Sequence, residues 1–129
     1  MPETDLATLI RAMSPRLLPG LFVFVTVDTA PAGLDHVMTF REAEGITLIL
    51  PQDQAVAAGL DGTFPSRMIT LDVQSSLDAI GFLAAITGEL AEAGIPVNPV
   101  SGFHHDHLFV PENRALEAMA ILLGMASPE

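Results

Sequence analysis

The densest concentration of chemically active groups in this chain is a run of three histidines and one aspartate. His104, His105, Asp106 and His107 are consecutive, and imidazole and carboxylate groups are common ligands of zinc and similar metals. In a strand, however, His105 and His107 face one side while His104 and Asp106 face the other. A polar hairpin turn has the same composition without binding anything. We therefore predict no metal site and no cofactor, and keep a small metal-dependent enzyme or metal-binding protein as an alternative.

No other pattern in the chain predicts catalysis. Ser101 lies close to the histidines in sequence, but no nucleophile-elbow pattern surrounds it. The sequence contains no phosphate-binding glycine loop and no HExxH pair. It has no cysteine, which excludes disulfides, thiolate metal ligands and cysteine nucleophiles. We expect no catalytic residue, and a protein that is not an enzyme.

The net charge excludes several classes of partner. The formal charge is −11, and all five basic residues are arginines. Nucleic-acid backbones and anionic membrane surfaces both require clusters of basic residues, so we predict neither partner. The N-terminus shows no signal-peptide pattern and no apolar run approaches about 18 residues. These features predict a soluble, cytoplasmic protein.

The hydrophobic content predicts either self-association or a dense core. Half of the residues are hydrophobic and 16% are charged, against about 25% charged residues in average chains. A chain of 129 residues suits one compact domain or two very small ones. Little polar surface is available to cover it, so we expect a homodimer or higher homo-oligomer, with an unusually dense core as the alternative.

The elements that position these residues follow from hydrophobic periodicity. In the first half we predict a helix, a strand, a loop, a hairpin and a second helix, over Leu6–Met13, Leu21–Val27, Asp28–Asp35, His36–Glu42 with Ile46–Leu50, and Gln52–Ala58. In the second half we predict a strand, a long helix, a hairpin and a last helix, over Met68–Val73, Leu77–Ala93, Val97–Phe103 with His107–Val110, and from Pro111 to Gly124. Residues Ala126–Glu129 are expected to fray.

The two halves repeat one pattern. Leu48-Ile49-Leu50-Pro51 is followed by Ala55-Val56, and Leu108-Phe109-Val110-Pro111 is followed at the same spacing by Ala115-Leu116. The repeat predicts an α+β protein of two βαββα units, 1–62 and 63–129, in which a short loop replaces the first helix of the first unit. Chance similarity of two strand–proline–helix segments is the alternative.

The long helix of the second unit has recognisable boundary signals. Ser75 is placed to cap its start, and Asp78 three residues later completes a pair resembling a capping box. Gly94 is placed to end it. Its apolar residues cover most of its circumference, so we expect it to contact a second helix or a second subunit.

This segment resembles the signature of ACT domains, which are small regulatory modules. The resemblance rests on the pattern Asp78-x-x-Gly81-x-Leu83-x-x-Ile86-x-x-x-Leu90-x-x-x-Gly94-Ile95. It covers Met68 to Gly124, with a weaker echo over Leu21–Gly59. The whole layout resembles small stand-alone bacterial proteins with tandem ACT-like units. The resemblance implies a ferredoxin-like ACT fold, with an antiparallel sheet and helices packed on one face.

The resemblance also implies a ligand and a site. ACT domains usually bind amino acids or similar small effectors, and they pair side by side. The implied site lies between the loop after the first strand and the start of the second strand. Its residues are Ser75, Ser76, Leu77, Asp78, Ile80, Gly81, Gly94, Ile95, Pro96, Val97 and Asn98. A helix N-terminus suits a carboxylate, and Asp78 is the residue expected to hold an ammonium group.

Two hypotheses without catalysis follow. The leading one is a regulatory or sensor module that binds a small effector, such as an amino acid. The other is a structural or interaction protein with an ACT-like fold and no ligand. Ser75 and Asp78 serve only as helix caps in the second hypothesis, and Gly81 only relieves crowding.

Overall fold

The computed structural model describes residues 4–126. In chain order the helices are α1 (Leu6–Ala12), α2 (Gln52–Ala57), α3 (Phe82–Glu92) and α4 (Ala115–Ala126). The strands are β1 (Ser14–Leu17), β2 (Phe22–Val27), β3 (Met38–Arg41), β4 (Ile46–Pro51), β5 (Thr63–Asp72), β6 (Asn98–Ser101) and β7 (Asp106–Pro111). A single 3₁₀ turn over Glu112–Arg114 precedes α4.

The chain forms two compact units. The larger unit combines the stretch up to Leu18 with the chain from Arg67 onward, and the smaller unit is Pro19–Ser66. These units differ from the sequence segments 1–62 and 63–129, because α1 and β1 belong to the larger unit. The physical reason is visible in the packing: Leu9 and Met13 are buried in the same core as α3 and α4.

The larger unit is a sheet with the strand order β1–β5–β7–β6. Alternate strand residues, Ile69 and Leu71 on β5 and Leu108 and Val110 on β7, share a core with the helices α1, α3 and α4. This is the two-residue period expected of a sheet that is covered by helices on one face. The expected helix–helix contact of α3 is present, since α3 contacts both α1 and α4.

The smaller unit repeats this plan with fewer parts. β4 lies between β3 and β2, and the first residues of β5 pair with β2. The core consists of Val23, Val25, Leu48, Leu50 and Ala55, the last from α2. The chain from β2 to β3 passes through a loop over residues 28–37. The two βαββα-type units, the first without its first helix, therefore confirm the predicted α+β fold class.

The start of α3 differs from the sequence prediction. The helix begins at Phe82 rather than Leu77, and its N-cap is Gly81 with a φ of 89°. This left-handed conformation is accessible to glycine and interrupts a right-handed helix. Ser75 is therefore not the cap that we expected, and Ser75 and Asp78 form no capping box.

The other end of α3 is fixed by an arginine. The guanidinium of Arg114 donates hydrogen bonds to the carbonyl oxygens of Ala93 at 3.0 Å and Gly94 at 3.2 Å. It also pairs with Glu117 at 2.8 Å. The last carbonyls of a helix have no intrahelical donor, so this side chain anchors the C-terminal end of α3 to the start of α4.

Two further boundaries differ from the predictions. The sequence predicts no strand at β1, because Ser14-Pro15 is interpreted only as the end of the first helix. Pro15 is tolerated here in a four-residue strand that pairs with β5. Gly124 does not end the last helix, which continues to Ala126. The predicted fraying covers Ala126–Glu129, and residues 127–129 of this segment lie outside the described residues.

Candidate functional site

The larger unit contains a cleft of about 190 Å³ where the loop after β5, the first turn of α3 and the β6–β7 hairpin meet. Both β5 and β6 end here, because the crossover through α3 brings the ends of the two strands to the same edge of the sheet. The lining residues are Ser75, Ser76, Leu77, Ala79, Gly81, Phe82, Leu83, Ala84, Ser101, Gly102 and Asp106.

The loop before α3 is shaped by a serine turn. The hydroxyl of Ser76 accepts a hydrogen bond from the Asp78 amide at 3.1 Å, and its carbonyl accepts one from the Ala79 amide at 3.0 Å. Serine side chains commonly stabilise turns in this way. The turn leaves Asp78 exposed, while Phe82 is buried in the core and fixes the start of the helix.

The N-terminal end of α3 contributes unpaired amides to the cleft. The first intrahelical bond runs from the Ala85 amide to the Gly81 carbonyl. Helix geometry leaves the N–H groups of Phe82, Leu83 and Ala84 without intrahelical acceptors, and Gly81 supplies no capping side chain. The positive end of the helix dipole therefore faces the cleft, which favours a negatively charged group there.

On the opposite side of the cleft lies a buried carboxylate. Asp106 is the first residue of β7 and is 8% exposed. It lies on the same side of the strand as Leu108 and Val110, whose side chains pack under the helices. Ser75 Oγ donates to Asp106 Oδ2 at 3.4 Å, which is longer than an ordinary O–H···O hydrogen bond.

The hairpin that carries Asp106 depends on a glycine. The Gly102 amide donates to the His105 carbonyl at 2.9 Å. A Cβ atom at position 102 would approach that carbonyl oxygen to 3.0 Å, tighter than side chains normally allow. The close approach holds the end of β6 beside the start of β7, and so places Ser101 and Asp106 in one wall of the cleft.

The neighbouring histidines are separated from this wall. His107 lies on the other side of β7, where its Nδ1 is 3.0 Å from Thr70 Oγ1. Burial lowers the pKa of His107, and the nearby His105 lowers it further. His105 Nε2 lies 3.7 Å from Asp72 Oδ1. Within residues 4–126 no group of three or more His, Cys, Asp or Glu side chains is placed to hold a metal ion.

The structure brings together only part of the predicted site. Ser75, Ser76, Leu77 and Gly81 line the cleft, whereas Ile80 lies in the same loop and is 86% exposed. The second predicted group follows the far end of α3, which has 11 residues and so is about 16 Å long. That group, which is not in the lining of the cleft, comprises Gly94, Ile95, Pro96, Val97 and Asn98.

Several lining residues were not predicted as ligand contacts. They are Ala79, Phe82, Leu83, Ala84, Ser101, Gly102 and Asp106. Asp106 and Ser101 were considered only for metal binding and catalysis. The predicted topology could have indicated these residues, because a strand–helix–strand crossover places the ends of both strands at one edge of the sheet.

Comparisons with known proteins give consistent matches across the chain. Two family models, both described as ACT domain, match residues 1–67 and 63–123. A search of curated proteins finds no match. No helix within residues 4–126 has the length and apolar character needed to span a membrane.

Solved structures extend the likeness to nearly the full chain. A protein of unknown function from Vibrio cholerae, described as a possible transport protein, is 41% identical with a TM-score of 0.86, and the match covers 95% of this chain and 96% of that one. A protein from Agrobacterium tumefaciens is 19% identical, with a TM-score of 0.75 and coverage of 88% and 89%. The ligand-free regulatory subunit of aspartate kinase from Thermus thermophilus is 10% identical, with a TM-score of 0.64 and coverage of 90% and 100%.

Proposed function

Because this chain belongs to the ACT domain family, we propose that it is a non-catalytic regulatory module that binds an amino acid or a similar small metabolite in the cleft of its larger unit. The observation that carries this proposal is the uncapped N-terminal end of α3, whose first three residues line the cleft. Such an end binds carboxylates through backbone amides and its dipole. The smaller unit has a loop where this helix would start, so the proposal assigns one such site to each chain.

Pairing of chains is part of the proposal. Three large apolar side chains lie in the loops that form the cleft or directly beside its lining, and they are well exposed: Leu77 at 68%, Ile80 at 86% and Phe103 at 79%. Exposed apolar groups of this size are typical of interaction surfaces. We propose a cytoplasmic homodimer or higher homo-oligomer, in which the segment Gly94–Asn98 of one copy approaches the cleft of another.

We propose that the repeat arose by duplication of one βαββα unit. The segments 1–62 and 63–129 are proposed to be the two sequence units, in line with family-model matches that meet between residues 63 and 67. The segment α1–β1 lies at the start of the first sequence unit but packs with the second, which accounts for the different boundaries of the compact units.

A thermal-shift panel tests the ligand. Purified protein is heated with each of the twenty amino acids at millimolar concentration, and at least one is expected to raise the midpoint. A ligand at about 100 times its Kd stabilises by about 2.7 kcal/mol. Ala84 is exposed in the first turn of α3 and lines the cleft, so Ala84→Phe should fill the cleft and remove the shift.

The matched control lies two turns further along the same helix. Ala91 is also exposed but is not in the lining of the cleft, so Ala91→Phe should leave the shift intact. If no amino acid shifts the midpoint of the wild-type protein, the sensor function is contradicted. The exposed side chains Leu77, Ile80 and Phe103 would then favour the alternative of an interaction protein without a ligand.

A further inference from the structure

We propose that Asp106 selects the charge of the ligand: its carboxylate receives the ammonium group of a small zwitterionic amino acid whose own carboxylate lies at the N-terminal end of α3. This inference rests on the proposed function and deepens it. It names the chemical class of the ligand and assigns the specificity to a residue of the β6–β7 hairpin.

Asp106 is buried in the wall of the cleft. The residue is 8% exposed and lines an open cleft. Carboxylates are seldom buried to this degree unless they are paired, since removing a charge from water is costly when nothing replaces the water. A carboxylate in the wall of a cleft recovers this cost when a cation enters the cleft.

Asp106 also has no oppositely charged partner among the described residues. Within residues 4–126, no ion pair involves Asp106, and its side-chain hydrogen bond is the 3.4 Å contact from Ser75 Oγ. Ser75 itself lines the cleft, so its hydroxyl can turn toward a ligand. The two bases adjacent in sequence have other partners: His105 Nε2 lies 3.7 Å from Asp72 Oδ1, and His107 Nδ1 lies 3.0 Å from Thr70 Oγ1.

The two walls of the cleft have opposite polarity. The first turn of α3 presents amides and a positive dipole end, which suit a carboxylate. Asp106 presents a negative charge across the same cleft, which suits an ammonium group. A molecule with both groups satisfies both walls. A simple carboxylic acid leaves the Asp106 carboxylate unpaired, and a 2-hydroxy acid offers it only a neutral hydroxyl donor, which binds a carboxylate more weakly than an ammonium group does.

The size of the cleft limits the ligand. A volume of about 190 Å³ equals the liquid volume of about six water molecules. Ala79 and Ala84 line it with short side chains. These dimensions fit an amino acid with a small side chain, such as alanine or serine.

The position of Asp106 distinguishes it from the aspartate in the loop. Asp78 is exposed and is not in the lining of the cleft. An exposed carboxylate remains hydrated and competes weakly for an ammonium group. Asp78→Asn is therefore a matched control for Asp106→Asn, because both changes remove one carboxylate charge at almost constant volume.

Isothermal titration calorimetry provides the test. The wild-type protein is titrated with L-alanine and L-serine, and with L-lactate and L-glycerate, which carry a hydroxyl in place of the amine. The amino acids should bind at least tenfold more tightly than their hydroxy-acid analogues. Asp106→Asn should weaken amino-acid binding by at least tenfold, and Asp78→Asn should leave it within twofold.

The outcomes separate this inference from the function on which it rests. Equal binding of L-alanine and L-lactate, or undiminished binding by a folded Asp106→Asn variant, overturns the inference while the ligand-binding function stands. If none of the twenty amino acids binds the wild-type protein, both are overturned. Should Asp106→Asn fail to fold by circular dichroism, the comparison of amino and hydroxy acids on wild-type protein decides.

Discussion

Thr70 Oγ1 and His107 Nδ1 lie 3.0 Å apart, although 37 positions separate the two residues in sequence. Thr70 is buried and His107 is half-buried, so the imidazole is held in a place that disfavours its charged form. Burial and the charges of His105 and Arg16 lower the pKa of His107, against an opposing effect of Asp106.

This pair predicts a pH dependence of stability. His107 has a lower pKa in the folded protein than in the unfolded chain, whose value is 6.5. The unfolded state therefore binds more protons below pH 6.5, and the contribution of His107 is complete above that pH and lost as the pH falls. His107→Gln should reduce the loss of stability between pH 7 and pH 5, measured by urea unfolding.

A control for this experiment lies three residues away. His104 is exposed, so His104→Gln should preserve the wild-type pH profile. An unchanged profile for His107→Gln would show that the buried imidazole does not contribute to the acid sensitivity.

Two glycines in and beside α3 predict opposite effects of the same substitution. Gly81 has a φ of 89°, and an added Cβ would meet only a Leu6 methyl at 3.6 Å, an ordinary contact. Gly81→Ala should therefore cost about 1–2 kcal/mol through backbone strain alone. Gly88 is an exposed residue in the interior of α3, and an added Cβ there would contact nothing within 4 Å. Gly88→Ala should therefore raise the free energy of unfolding by about 0.5–1 kcal/mol.

Chemical unfolding of both variants checks this prediction. Gly81→Ala should also lower the affinity for any amino acid that is found to bind, because the substitution changes the loop that shapes the cleft. A neutral Gly81→Ala substitution would contradict the left-handed cap.

A pair of leucines tests the core of the larger unit. Leu90 on α3 is fully buried, and Leu116 on α4 is 78% exposed. Leu90→Ala should cost about 3 kcal/mol through lost burial and an unfilled cavity. Leu116→Ala should change the free energy of unfolding by less than about 0.5 kcal/mol. Urea denaturation measures both, and similar values for the two variants would contradict the assigned core.

The repeated architecture could be predicted because it is encoded locally. Leu48–Pro51 and Leu108–Pro111 are both apolar strands that end at a proline, and each is followed by a short helix. Period-two and period-3.6 patterns are visible within a few residues. The strand at Ser14–Leu17 is not visible in the local pattern, because it is supported by pairing with β5 and by contact with α4, both from distant parts of the chain.

The boundary of α3 shows where local pattern is insufficient. Ser75 and Asp78 have the spacing of a capping pair, and Leu77 and Ile80 extend the apolar pattern of the helix. The turn at Ser76 and the left-handed backbone of Gly81 are incompatible with helix in this stretch. Glycine is compatible with many conformations, so its identity does not reveal which one it adopts.

The sequence predicts residues in one wall of the cleft and none in the other. The residues Ser75–Leu77 and Gly81 follow from their position between β5 and α3. Asp106 becomes part of the cleft through the pairing of Ser101 with Asp106 in the hairpin and through the crossover of α3. The burial of Asp106 follows from the folded sheet and is not visible in the local sequence, where the neighbouring histidines suggest metal binding instead.

The loop over residues 28–37 in the smaller unit has a consequence for stoichiometry. Among residues 4–126, the helix that follows the first strand of a βαββα unit is present in the larger unit and replaced by this loop in the smaller one. A chain that binds as proposed therefore takes up one equivalent of effector. An isolated chain should then give a hyperbolic isotherm with a Hill coefficient of one, because coupling requires two sites. Sigmoidal uptake would have to arise from communication between chains, and it would disappear on dilution to the monomer.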